Sequence, residues 1–184
     1  MSATASLWLS VETFHPLACN VVPEQPIKVQ QQFTVPAPIE SVWSFLRDVN
    51  SFASCIPDVQ QVEAVDERTF NAVVKVHILT MKAEFQVTAT IVEETPPTHL
   101  VSELRGADAE HGGTIALRNV LDLRSLPGGE TEVSYVVDGT LSGTLAALGG
   151  GMAVKLKAMQ MGKAFAAEVR RRVVMVNGRG IFPP

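Results

Sequence analysis

The sequence predicts an α+β domain in which a curved antiparallel sheet of six to seven strands wraps around a long C-terminal helix. Segments of alternating apolar and polar residues follow one another from residue 59 to residue 143, two short helical segments precede them, and helical periodicity follows Gly143. With 184 residues, of which 46% are hydrophobic and 18% charged, the chain suits one folded domain. We assign residues 27–176 to that domain, residues 1–26 to a poorly ordered or accessory leader, and residues 177–184 to a short tail.

The first elements are a strand and two short helices. The segment "KVQQQFTV" at 28–35 predicts the strand. Pro38 suits the first position of a helix, where its missing N–H costs nothing. "NSFASCIP" predicts a second helix that ends at Pro57. The first helix buries one face because its apolar residues recur at three- and four-residue spacing: Ile39, Val42, Trp43, Phe45 and Leu46.

Six further strands follow in quick succession. The alternation is cleanest in "MKAEFQVTATIVEE", where period two over this length indicates a sheet with one solvated face. Pro127-Gly128-Gly129 predicts a hairpin turn before the last strand. The predicted strands cover residues 59–65, 69–79, 81–94, 98–106, 112–126 and 130–143, and one helix covers roughly residues 144–175.

A sheet curled around a helix leaves a cavity, and the alternation predicts its lining. Such pockets are mostly apolar with a few polar groups. Ser102, Asn119 and Tyr135 fall in inward register, so each needs a partner from the backbone, water or a ligand. A register error of one residue would instead turn them outward. The predicted ligand-binding residues are Trp43, Val76, Phe85, Val87, Ser102, Leu117, Asn119, Tyr135, Leu148, Met152 and Met159, while Lys157 falls on the opposite side of the last helix.

The glycine run "GGGMAVKLKAMQMGK" does not predict a nucleotide site. A phosphate loop needs G-x-x-x-x-G-K-[ST] after a strand of a parallel unit, but Ala164 follows Gly162-Lys163 and the chain is antiparallel. Glycine weakens a helix by about 1 kcal/mol relative to alanine. Gly149–Gly151 therefore predict either a flexible hinge at the cavity mouth or a plain loop before a helix that starts near Met152.

The charges divide unequally along the chain. Residues 1–143 contain eight Lys and Arg against eighteen Asp and Glu, whereas residues 144–184 contain seven against one. This asymmetry indicates either a basic segment that contacts a membrane or partner protein, or a solvated helix that balances an acidic body. The candidate contact residues are Lys155, Lys163, Arg170, Arg171 and Arg172.

We predict no catalytic residues, no metal site and no cofactor. The four histidines lack evident partners, and only His111, in "DAEHGG", has carboxylates nearby, an arrangement typical of a solvated hairpin tip. Cys55 is predicted to pack in the core rather than react. With two cysteines, no signal peptide and no apolar run long enough to span a bilayer, we predict a cytoplasmic protein that does not bind nucleic acid.

Three segments carry a family resemblance: "FTVPAPIESVWSFLRDVNSFASCIPDVQQVE", "GGTIALRNVLDL" and "VDGTLSGTLAALGGGMAVKLKAMQMGKAFAAEV". Together they resemble the family of carbon monoxide dehydrogenase G subunits, within the START-like (SRPBCC, polyketide cyclase and lipid transport) superfamily. The resemblance covers about residues 28–175 and implies the helix-grip fold.

The resemblance implies a non-enzymatic accessory protein that binds a quinone- or lipid-like ligand and supports maturation or membrane recruitment of a molybdenum hydroxylase. Molybdenum hydroxylase subunits would be its partners, and any membrane contact would be peripheral, at the inner face, because the basic C-terminal segment is too short to span. Two alternatives stay open: a cyclase- or hydratase-type enzyme of the superfamily, and an interaction module with a closed cavity.

Overall fold

A computed structural model describes residues 24–108, 110, 112–147 and 152–178. Seven antiparallel strands form one curved sheet in the order β1-β7-β6-β5-β4-β3-β2. The predicted α+β helix-grip class is confirmed. The elements in chain order are β1 (Glu24–Val35), α1 (Ile39–Arg47), α2 (Val49–Ser54), β2 (Val59–Ala64), β3 (Thr69–Ile78), β4 (Met81–Thr95), β5 (His99–Asp108), β6 (Gly113–Leu126), β7 (Glu130–Ser142), α3 (Thr144–Ala147) and α4 (Met152–Gly178).

The first and last strands are neighbours in the sheet. β1 pairs with β7 along its whole length, from Glu24 opposite Ser142 to Val35 opposite Thr131. The remaining strands form a meander of consecutive hairpins. The predicted turn at Gly128 and Gly129 is confirmed, since both residues have positive φ angles (87° and 79°) between β6 and β7.

Helices α1 and α2 follow β1 and close one end of the sheet. The predicted apolar face of α1 is buried, and the buried Thr131 hydroxyl donates to the Ala37 carbonyl (2.7 Å), which ties β7 to the start of α1. Asp48 caps α2 by accepting from the Ser51 N–H (2.8 Å). Helix α4 packs against β1, and its residues Val169 and Val173 are almost fully buried.

Two predicted boundaries need correction. β1 begins at Glu24, so residues 24–26 belong to the sheet rather than to the leader, and α4 continues to Gly178. Within the helix predicted over residues 144–175, the structure describes α3 at residues 144–147 and α4 from Met152 onward. Residues 1–23, the candidate hinge Gly149–Gly151 and residues 179–184 lie outside the described residues.

Candidate functional site

A cavity of about 380 Å³ lies between the inner face of the sheet and the helices. Phe85 and Val87 of β4, Val76 of β3 and Leu117 of β6 line it, as the alternation predicted. Side chains of one face of a strand recur every second residue, so a correct register places all of them on the same side. The sheet thus supplies a continuous apolar wall.

Helix α4 supplies the opposite wall. Val154, Ala158, Met161 and Phe165 face the cavity. The Phe165 ring contacts three other aromatic rings edge-on, with centroid distances of 5.4 Å to Phe52, 5.4 Å to Tyr135 and 6.5 Å to Phe33. These rings fix Phe165 between the helix and the sheet.

Three of the predicted lining residues lie elsewhere. Trp43 is buried in the core formed by α1 and does not border the cavity. Met152 and Met159 are 60% and 41% exposed, because the buried face of α4 is the one that carries Val154 and Phe165. These three placements are therefore wrong. A fourth predicted residue, Leu148, lies outside the described residues.

The predicted polar residues Ser102, Asn119 and Tyr135 do face the cavity. Ser102 and Asn119 are opposite each other on β5 and β6. The Asn119 Nδ2 group donates to the Ser102 hydroxyl oxygen (3.3 Å). Each therefore gives the other a partner, and the pair forms a small polar spot on the apolar wall.

Tyr135 behaves differently, because its buried hydroxyl has no hydrogen-bond partner among the described residues. Burial raises the pKa of Tyr135 to about 12, so the phenol stays protonated at neutral pH. An unpaired buried hydroxyl costs about 1–3 kcal/mol. The hydroxyl is buried beside Gly162 of α4, while the rest of the Tyr135 side chain lines the cavity.

Two ion pairs border the cavity, and neither was predicted from the sequence. Arg47 donates from Nε to Glu94 Oε1 (2.6 Å) and from Nη2 to the Glu67 carbonyl (3.0 Å). Lys157 Nζ lies 2.6 Å from Asp58 Oδ2, an ion pair without hydrogen-bond geometry. Both cations line the cavity.

These pairs occupy opposite ends of β3. Glu67 lies two residues before the start of β3, whereas the Asp58 carbonyl accepts from the Lys75 N–H near the far end of that strand. The prediction that Lys157 points away from the cavity is wrong, because Asp58, in the loop before β2, holds its ammonium at the cavity border.

The candidate basic contact residues differ in whether their charged groups are engaged by other residues of the protein. Arg171 and Arg172 pair with Glu168 at 2.6 Å and 2.9 Å. The Arg170 guanidinium donates to the Thr34 carbonyl (3.0 Å) and lies over the Phe33 ring. Lys155 and Lys163 are exposed, and no ion pair involves them within the described ranges.

Among the described residues, neither Cys55 nor His99 lines the cavity. Cys55 is buried and its Sγ donates to the Ser51 carbonyl (3.4 Å), and burial raises the pKa of this thiol. His99 Nδ1 lies 2.6 Å from Asp122 Oδ1 outside the cavity. Among the described residues, no group of three His, Cys, Asp or Glu side chains could hold a metal ion; His111 lies outside them.

None of the helices in the described part of the chain combines the length and the apolar content needed to cross a bilayer.

Solved structures share this architecture. A conserved protein from Geobacillus kaustophilus is 20% identical, with a TM-score of 0.72, covering 81% of this chain and 96% of its own. A START superfamily protein from Mycobacterium smegmatis is 15% identical, with a TM-score of 0.62 and coverage of 81% and 98%. The Zhui aromatase/cyclase from Streptomyces sp. R1128 is 17% identical, with a TM-score of 0.54 and coverage of 83% and 96%. At these identities the likeness shows the fold alone.

The sequence comparisons identify the family. A search of curated protein sequences finds no significant match. The profile of the carbon monoxide dehydrogenase G subunit (CoxG) family matches residues 32–174, which run from the end of β1 to the last turns of α4 and include both walls of the cavity. The chain therefore belongs to the CoxG family of carbon monoxide dehydrogenase G subunits.

Proposed function

We propose that this protein is a non-enzymatic accessory protein that carries a hydrophobic ligand in the cavity between the sheet and α4. The observation that carries the proposal is the cavity itself: about 380 Å³ bordered almost entirely by hydrocarbon side chains. Cavities of this size and character suit small apolar molecules. An interaction module with a closed cavity would instead have side chains packed through this space.

The polar groups at the wall define the kind of ligand. The Ser102–Asn119 pair forms a polar spot on the apolar wall, whereas the Tyr135 hydroxyl is buried beside Gly162. A ligand with an apolar body and a carbonyl or hydroxyl group can hydrogen-bond to the Ser102–Asn119 pair on the cavity wall. A quinone-like or lipid-like molecule has this combination.

The lining supports a carrier over a cyclase- or hydratase-type enzyme. None of the described residues that line the cavity is His, Cys, Asp or Glu, and the carboxylates of Asp58 and Glu94 lie behind it, paired with Lys157 and Arg47. Acid–base catalysis needs a group whose pKa lies near the working pH, and the pKa of Tyr135 is about 12. The observed groups are suited to holding a ligand and poorly suited to transferring protons.

Filling the cavity tests the carrier function. Ala72 and Ala89 line the cavity from β3 and β4, and the double variant Ala72→Phe/Ala89→Phe adds two rings to the space. The matched control is Ala116→Phe, since Ala116 is exposed outside the cavity lining. We expect native mass spectrometry to detect a retained hydrophobic ligand, or added quinone, in the wild type and the control and little in the double variant. A wild-type protein without ligand, or a double variant with as much, would contradict the proposal.

The family membership supports a more specific role, in which the ligand carrier assists maturation or membrane recruitment of a molybdenum hydroxylase. The test is a host strain that lacks this chain and encodes large, medium and small hydroxylase subunits beside it. We expect hydroxylase activity or its membrane-bound fraction to fall and to return with wild-type protein but not with Ala72→Phe/Ala89→Phe. Unchanged activity and distribution would contradict this role and leave ligand binding to be judged by mass spectrometry.

A further inference from the structure

The Ser102–Asn119 pair on the cavity wall has hydrogen-bonding capacity that the protein does not use. Asn119 Nδ2 donates to the Ser102 hydroxyl oxygen (3.3 Å), and both residues line the cavity from opposite positions on β5 and β6. This bond uses one N–H of Asn119 and one lone pair of the Ser102 oxygen. The Ser102 O–H group and the Asn119 Oδ1 atom have no hydrogen-bond partner among the residues that the structure describes. The pair therefore presents a donor and an acceptor side by side.

The Asn119 Oδ1 atom is open to the cavity rather than enclosed by protein. Within the described ranges, the buried side-chain oxygens without a hydrogen-bond partner belong to Asp58 and Tyr135, although Asn119 is itself half-buried. The Tyr135 oxygen differs from that of Asn119 because it is buried beside Gly162 of α4. A molecule in the cavity can thus reach the Ser102–Asn119 pair, whereas the tyrosine oxygen is enclosed.

The two cations at the cavity border are neutralised by carboxylates of the protein. Arg47 pairs with Glu94 at 2.6 Å. Lys157 pairs with Asp58, also at 2.6 Å. An ionised ligand group inside the cavity would have to break one of these pairs or remain unpaired in apolar surroundings, and an unpaired buried charge is costly. The cavity accordingly favours an uncharged ligand.

We propose that Ser102 and Asn119 select an uncharged ligand through a hydroxyl group on its apolar body. The oxygen of such a hydroxyl accepts from the Ser102 O–H group while its proton is donated to Asn119 Oδ1, so that one group satisfies both residues. A carbonyl or ether oxygen accepts from Ser102 and leaves the Asn119 oxygen without a donor. The inference rests on the proposed function, since it specifies which hydrophobic molecules the carrier retains.

Binding of four matched naphthalenes tests this selectivity. The probes are naphthol, methoxynaphthalene, methylnaphthalene and naphthoate, each substituted at the same ring position, and equilibrium dialysis at neutral pH measures their affinities. Naphthol is uncharged at this pH because it is a phenol, whereas naphthoate is ionised. We expect the wild type to bind naphthol about tenfold more tightly than methoxynaphthalene or methylnaphthalene, and to bind naphthoate most weakly.

Asn119→Leu and Ser102→Ala remove the acceptor and the donor separately. Each should weaken naphthol binding about fivefold to tenfold and leave methylnaphthalene binding unchanged, which also shows that the variant is folded with its cavity intact. The matched control is Asn71→Leu. It breaks a second hydroxyl–amide pair, in which Thr88 donates to Asn71 (2.9 Å) on the exposed side of the sheet, and it should bind all four probes like the wild type.

The same measurements separate the selectivity from the carrier function. A wild type that binds none of the four probes contradicts the carrier function itself. A wild type that binds methylnaphthalene as tightly as naphthol, or naphthoate most tightly, overturns the selectivity and leaves the carrier function intact. Variants that keep the wild-type preference for naphthol also overturn it, and either variant that still binds methylnaphthalene is sufficient for this test.

Discussion

The hydroxyl oxygen of Tyr135 lies 2.7 Å from the position that a Cβ atom would take on Gly162. Gly162 is in the middle of α4, where alanine would ordinarily stabilise the helix by about 1 kcal/mol. Its missing side chain instead lets the Tyr135 ring fit under the helix. The absence of a side chain at Gly162, on α4, thus allows the unpaired hydroxyl of Tyr135, on the sheet, to lie where it does.

We predict that Gly162→Ala destabilises the protein by about 1–2 kcal/mol, because the new methyl group overlaps the Tyr135 hydroxyl. In a Tyr135→Phe background the same substitution should be neutral or stabilising, since the overlapping oxygen is gone. Urea unfolding of the four proteins gives the coupling free energy. Equal effects of Gly162→Ala in both backgrounds would show that the hydroxyl is not the obstacle.

Stability at alkaline pH should depend on Tyr135. The pKa of this phenol is about 12 in the folded protein, raised by burial from about 10. Between these values the unfolded chain releases the proton and the folded protein keeps it, so stability is complete below pH 10 and falls as pH rises. We predict a loss of about 1 kcal/mol by pH 11 that Tyr135→Phe does not show.

Tyr135 is the single tyrosine of the chain, so its titration can be followed directly. Tyrosinate absorbance should have a midpoint near pH 12 in the folded protein and near pH 10 in denaturant. A folded-state midpoint near 10 would show that the hydroxyl is solvated.

The ion pair of Lys157 and Asp58 should slow ligand exchange. It joins α4 to the loop before β2 at the cavity border, with 2.6 Å between Nζ and Oδ2. We predict that Asp58→Asn increases the rate of ligand release several-fold in stopped-flow displacement. Because the two side chains are only 19% and 25% exposed, loss of the pair should also lower the unfolding free energy by about 1–3 kcal/mol.

Asparagine is the suitable replacement because Asp58 has a φ of 71°, a conformation that asparagine also adopts readily. The matched control is Asp138→Asn, which breaks the exposed pair with Lys28 away from the cavity. If both variants release ligand at the same rate, the border ion pair has no part in exchange.

Acid should weaken the C-terminal half of α4 through Glu168. Hydrogen bonds from Arg171 and then Arg172 lower the pKa of Glu168 to about 2. A lowered folded-state pKa contributes stability that is present above about pH 4.5 and is lost as pH falls toward 2. We predict that Glu168→Gln reduces the dependence of Tm on pH in this window. Parallel curves for the two proteins between pH 2 and 5 would contradict the prediction.

The sheet and its inward face were predictable because the alternation of apolar and polar residues along each strand leaves little choice in which residues face the core. Once Phe85 and Val87 are assigned to one face of β4, the pairing of consecutive strands carries the assignment across to Ser102 and Asn119. The polar residues of the cavity followed from the same rule. The missing partner of Tyr135 did not, because it depends on how α4 approaches the sheet at Gly162.

The buried face of α4 was harder to predict. The helix has apolar residues on two sides, and the pattern that selected Met152 and Met159 ignored Val154 and Phe165, which the sheet covers. Periodicity finds apolar stripes but does not say which of two is buried. Arg47 and Lys157 were missed for a related reason, since their partners Glu94 and Asp58 are distant in sequence.

The pairing of Glu24 with Ser142 and of Val35 with Thr131 has a consequence for biosynthesis. As the chain emerges from the ribosome, β1 has no strand to pair with until β7 has been translated. Helix α4, which forms the other wall, comes later still. The apolar interior of the nascent polypeptide therefore stays accessible to solvent, chaperones and hydrophobic molecules until synthesis is nearly complete. A hydrophobic ligand can thus bind to the chain during translation, before the cavity has closed.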